Sequence, residues 1–447
     1  MLTRPQPTRR AALAGVVGIS LVALAACGGG DDAAPAAGAS GVPAEDVTLS
    51  ILVDNAPANV ATLEALGAAF KEQNPNVTIE LEQRPGGGEG DNIVKTRLAT
   101  GDMTDLFFYN SGSLLQALSP AETLTPLTEQ PWVDSLVDPF PATVSAGEEL
   151  YGAPVGTAFA GAMFYNKKVY EELGLEVPTT WEEFMANNEQ IDAAGITPVI
   201  QTYQDTWTSQ LFVLGYFHNV LAQDPDWAEK YTANEVKYAE DETAVKGFER
   251  LQEVNEAGYL NDDFASSTFT QGMAKVATGE GAHYPMLTNA ISEVITNNPD
   301  VVEDVGVFGI PGDDAEANGV TIWAPNALYV PRSTEGAQLQ AATAFLDFVV
   351  SPEGCDVQSE GTPPTGPYLV EGCELPADVV GAAKDLQVYF DEERTSPALE
   401  FLSPIKGPAL EQITVEVGSG IRPAQDAAAL YDQDVEKQAQ QLGLEGW

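Results

Sequence analysis

Strand-like and helix-like segments alternate from residue 47 to residue 109, and few folds accommodate that order. "VTLSILV" (47–53) is a continuous β-branched and apolar run, the pattern of a strand buried on both faces. Leu63, Leu66 and Phe70 then recur at helical spacing, with Asn59 as a candidate cap and "NPN" as the stop. "VTIEL" (77–81) alternates as a strand, 93–99 reads as a short helix ending before Gly101, and "LFFY" (106–109) is a third strand. This order predicts a parallel sheet flanked by helices, an α/β fold. Open sheets of this kind bind ligands beyond the carboxyl ends of their strands, which points to Asp54, Asn55, Tyr109 and Asn110.

A chain of 447 residues is too long for one ordinary core, so two domains are expected. Residues 1–26 carry Arg4, Arg9 and Arg10, then an apolar, Ala/Gly-rich run too short to span a bilayer well. They read as an export signal. Leu24-Ala25-Ala26-Cys27 resembles the lipobox of bacterial lipoproteins, in which the cysteine is acylated and becomes the new N-terminus. Arg9-Arg10 is similar to a twin-arginine signal. Residues 27–46, rich in Gly, Ala, Pro and Asp, cannot bury a face and read as a tether. The expectation is an extracytoplasmic body held to the outer face of the membrane only by lipid on Cys27. Outside the cell the remaining Cys355 and Cys373 are disulfide candidates, the alternative being two free buried thiols.

The formal charge of −47 repels nucleic acid and anionic lipid, and no basic stripe overrules it. The two histidines, His218 and His283, lack metal-ligand spacing, and no GxSxG elbow is present. The 86–90 glycine run lacks the Lys-Ser/Thr of a P-loop and reads as a loop. Carboxylate pairs are too common among 67 acids to argue for glycosidase chemistry. The chain is therefore expected to be neither enzyme nor metalloprotein and to need no cofactor.

"YGAPVGTAFAGAMFYNKKVYEELGLEVPTTWEEF" (151–184) contains two legible helix starts. Asn166 caps a short helix ending at Gly174, and Thr180 to Glu183 form a capping box. The same segment resembles the hallmark of family 1 extracellular solute-binding proteins, the maltose-binding-protein-like group. "LATGDMTDLFFYN", "MAKVATGEGAHYPM" and "AATAFLDFVVSPEG" are similar to further family segments in the same order, with Thr104 for the usual proline and Tyr284 where tryptophan is common.

The resemblance implies a class II periplasmic-binding-protein-like fold: two α/β lobes, each a mostly parallel sheet, closing on a ligand. Crossings are expected near 155–159, 305–309 and 323–329. Lobe 1 would comprise 47–156 and 306–326, and lobe 2 would comprise 157–305 and 327–447. It also implies a monomeric receptor that delivers its ligand to permeases of an ATP-driven importer. Sugars need aromatic faces, amides and carboxylates, whereas anionic ligands need basic side chains. No arginine falls in the segments assigned to the cleft. Phe159, Tyr203, Asp205, Trp207, Tyr284, Trp323 and Asn326 join the four strand-end residues as candidate contacts to a neutral mono- or oligosaccharide. The alternatives are a polyamine, peptide or glycerol phosphate as solute, or a secreted hydrolase.

Overall fold

The computed structural model describes residues 41–444 and 446–447. The export signal, Cys27 and most of the tether lie outside these residues. Among the described residues, no helix is long and apolar enough to cross a membrane.

Eleven strands build the two main sheets: β1 (Val47–Asp54), β2 (Val77–Arg84), β3 (Leu106–Tyr109), β4 (Gly152–Pro154), β5 (Phe159–Asn166), β6 (Thr197–Val199), β7 (Gly281–Leu287), β8 (Val305–Gly309), β9 (Val320–Trp323), β10 (Ala327–Tyr329) and β11 (Thr395–Pro397). The first sheet has the order β2-β1-β3-β10-β4, and the second β11-β9-β5-β7-β6 with β8 also on β5. β1 is parallel to both β2 and β3, as the alternation of the sequence predicts. Neither sheet is mostly parallel as expected, however: β10 runs antiparallel to β3 and β4, and β5 runs antiparallel to β7, β8 and β9. Each helix-crossed unit buries its apolar face: Leu63, Leu66 and Phe70 of the helix Pro57–Gln73 pack on the first sheet with Phe345 and Phe348.

Local helix signals hold. The Asn166 side chain accepts from Val169 N at 3.0 Å, and both hydrogen bonds of the Thr180–Glu183 capping box form. Two local readings do not hold. Asn59 lies inside the first turn of the helix Pro57–Gln73 rather than at its cap. The helix expected at 93–99 starts at Gly87, because that glycine takes φ +65° and lets the 86–90 run turn into the first turn.

The assignment of chain segments to lobes needs correction. The crossing at 155–159 is present, for β4 belongs to the first sheet and β5 to the second. Residues 306–326 do not return to the first lobe. β8 pairs with Ala162 to Asn166 and β9 with Phe159 to Gly161, in tandem along one edge of β5. The chain crosses back only at 324–326, since β10 pairs with β3 and β4 in the first sheet. The helices Gly336–Val349 and Pro352–Gly361 also pack there, on β1 and on the helix Pro57–Gln73. The segment 362–368 passes the first crossing, with Ala158 N donating to Pro367 O at 2.8 Å, and residues 369–373 still pair with 135–137 of the first lobe. A third crossing at 374–380 then leads to β11 and the C-terminal helices of the second lobe. An apolar strand such as "VGVFG" carries burial but no mark of which sheet supplies its partner.

The register aims both sheets at one gap. Tyr109, Pro154 and Ala327 are cross-strand neighbours at one edge of the first sheet, beside the ends of β1 and β2. Phe159, Trp323, Leu287 and Pro397 mark the facing edge of the second.

Candidate functional site

A cavity of ≈ 400 Å³ opens between the lobes beside these crossings. The first turns of the helix Pro57–Gln73 supply Ala58, Asn59 and Thr62. The first crossing supplies Val155, Gly156 and Thr157. The second lobe contributes Asn289, Ser292, Ile295 and Thr296, and the segment 358–368 closes the remaining wall. Its size matches that of small-molecule sites.

Hydrogen bonds fix the walls. Gln358 accepts from Gly156 N at 2.7 Å and donates to Val349 O at 3.0 Å, so both ends of its amide are used. The hydroxyls of Thr62 and Thr362 meet at 3.0 Å. Tyr368 donates to Cys355 O at 3.1 Å and meets Ser359 Oγ at 2.8 Å. The Cys355–Cys373 disulfide is formed and encloses this wall within a sequence separation of 18. Other groups remain unspent: among the described residues the side chains of Thr157, Asn289 and Thr365 make no hydrogen bond, and Asn59 uses only its Nδ2. No charged side chain lines the cavity among the described residues.

The eleven residues expected at the cleft do not line this cavity. Asp54 stands behind it, bonded to Asn59. Asn55 and Asn110 are exposed in the loops after β1 and β3. Asn326 lies in the second crossing, its carbonyl accepting from Val155 N at 3.0 Å.

Three tyrosines expected to face ligand are core residues instead. Tyr109 and Tyr284 have no exposed surface. Tyr284 OH meets Thr202 Oγ1 at 2.5 Å, and its burial raises the phenol pKa. Tyr109 packs under the Arg84 guanidinium at 5.5 Å, and burial followed by the neighbouring Asp91 raises its pKa. Tyr203 lies edge-on to Phe264. Tyr109 and Tyr284 lie on strands that are buried on both faces, so neither side chain reaches the cleft.

Phe159 and Trp323 stack on each other at 6.4 Å and 10°, outside the cavity lining. Trp323 Nε1 donates to Glu400 Oε1 at 2.8 Å. Trp207 is 37% exposed and leans on Phe269. Asp205 accepts from Phe269 N at 2.7 Å at a helix start. Arg84 does end at the cleft edge, opposite Asp54, but its guanidinium is buried and turned to the Pro85 and Phe108 carbonyls.

Asn289 and Thr365 were not singled out from sequence, Asn59 was read only as a helix cap, and Thr157 falls within the crossing expected at 155–159. Asn59 carried a usable signal, a polar residue in the first helical turn after a parallel strand. Asn289 and Thr365 sit in segments whose facing partners are set by the crossings, which the sequence does not encode locally.

The sequence profile of the bacterial extracellular solute-binding proteins matches residues 55–354. The chain is 24% identical over 352 residues to the multiple sugar-binding protein of Streptococcus mutans, covering 77% of this chain and 79% of that protein. It is 22% identical over 356 residues to the melibiose/raffinose/stachyose-binding protein MelE of Bacillus subtilis, covering 74% and 77%. The solved structure of RafE in complex with raffinose superposes with a TM-score of 0.69 at 21% identity, covering 88% of this chain and 99% of that one.

Proposed function

Because the chain belongs to the bacterial extracellular solute-binding protein family, we propose that it is the receptor of an ATP-driven importer. It captures a neutral mono- or oligosaccharide between its lobes and presents the closed form to membrane permeases. The observation that carries this reading is the uncharged lining of the inter-lobe cavity. In a chain with 19% charged residues and a net charge of −47, side-chain amides and hydroxyls fill the places where ion-pairing groups would stand. A polyamine requires carboxylates and a sugar phosphate requires basic groups, for a desolvated ion is costly without a partner. Hydroxyls of a neutral sugar need only the amides and hydroxyls present. Relatives named for multiple sugars and for melibiose, raffinose and stachyose support the same ligand class.

Asn59, Thr157, Asn289 and Thr365 are the contacts we assign, with Asn55, Asn110 and Phe159 available to a longer ligand at the facing edges. The protein binds without turnover, acts as a monomer, and is held to the membrane by lipid on Cys27. A thermal-shift screen of neutral mono- and oligosaccharides, polyamines and sugar phosphates tests the reading. At least one neutral sugar raises the melting midpoint; stabilisation confined to the charged ligands would refute it.

A further inference from the structure

We propose that Asp54 is a positioning residue, whose carboxylate fixes the Asn59 amide so that Asn59 Oδ1 faces the inter-lobe cavity as a hydrogen-bond acceptor. This rests on the sugar-receptor reading and specifies what the ligand must offer at that point, a hydroxyl donor.

The assignment follows from which atoms can donate. Asn59 Nδ2 lies 3.1 Å from Asp54 Oδ1 and 3.0 Å from Oδ2. A carboxylate has only acceptors, so the amide nitrogen must face it; the flipped amide would set oxygen against oxygen. Asp54 is itself held, because its Oδ1 also accepts from Ala56 N at 2.9 Å just before the helix Pro57–Gln73. One N–H of Nδ2 is shared between the two carboxylate oxygens, which fixes the amide and leaves Oδ1 as its free acceptor; among the described residues no protein donor reaches Oδ1. Asn59 lines the cavity and Asp54 does not. The contrast with its neighbours is chemical: both ends of the Gln358 amide are used within the wall, whereas Asn289 is unrestrained. Asn59 is therefore the cavity amide that is held in one orientation while its oxygen stays free. A carboxylate that looks like a ligand contact in the sequence acts instead through its neighbour.

Two measurements test this. The first needs no ligand: the Asn59 side-chain amide resonance of the free protein exchanges slowly with solvent and moves to solvent-like exchange in Asp54→Asn. Fast exchange in the unaltered protein would overturn the lock, whatever the protein binds. The second is calorimetric titration with raffinose. Asp54→Asn lets the amide turn over and weakens binding about tenfold, the scale of one mispaired hydrogen bond. The exchanged pair, Asp54→Asn with Asn59→Asp, keeps a donor behind and an acceptor in front and recovers most of that loss. Equal affinity in Asp54→Asn, or no recovery in the exchanged pair while the melting midpoint of the free protein is unchanged, would overturn the proposal and leave the sugar reading standing. If raffinose does not bind the unaltered protein, the amide exchange decides the proposal, and the wider ligand screen decides the sugar reading.

Discussion

His283 lies wholly within the second lobe, its Nδ1 2.9 Å from Pro198 O and its Nε2 2.7 Å from Tyr170 OH. The carbonyl requires a proton on Nδ1, so Nε2 accepts from the tyrosine and the ring is neutral. Burial lowers its pKa from 6.5 to about 3. His218, bonded to Ser396 Oγ, is lowered to about 4, again mainly by burial. In both cases the unfolded chain binds a proton that the folded chain refuses, so stability rises with pH between the folded and unfolded values. Stability is therefore full above pH 6.5 and falls as pH drops toward 4, by up to about 1.4 kcal/mol per pH unit for each ring. Denaturant titrations at several pH values will show this decline, and it will be shallower in His283→Gln. Neither ring was read as a core residue from sequence, because an isolated histidine carries no periodic signal. Tyr284, next to His283, shows the same limit in reverse: its segment pointed at the cleft, but side chains alternate along a strand and both faces of β7 are covered.

The loop after β3 meets the helix Leu399–Leu402 of the other lobe through a glycine. Gly112 takes φ +67°, and a Cβ there would sit 2.4 Å from Phe401 Cδ1 and 3.0 Å from Glu400 O. Gly112→Ala therefore strains the backbone by about 1 kcal/mol and also displaces the contact between lobes. The variant will melt earlier, and in small-angle scattering it will have a larger radius of gyration without ligand. An unchanged radius would mean that this contact does not hold the lobes together. Elements were legible where their causes are local. The Thr180 capping box, the Asn166 cap and the β1–β2–β3 alternation each depend on residues a few positions apart. The allegiance of β8, β9 and β10 was not, because pairing partners lie far away in sequence and all three runs are simply apolar.

Over the whole molecule, a strongly acidic chain encloses an uncharged cavity between its lobes. The two-lobed architecture was legible from ordered motifs, while the cavity itself is made by chain crossings that bring the helix start at Asn59 toward Asn289 and Thr365. A neutral sugar is expected to sit there and touch both lobes. A crystal structure of the protein grown with raffinose or another neutral oligosaccharide that stabilises it tests this most directly. One sugar residue is expected between Asn59 and Asn289, with a ligand hydroxyl donating to Asn59 Oδ1 and no charged side chain in contact. A sugar bound elsewhere, with this cavity left to solvent, would contradict it.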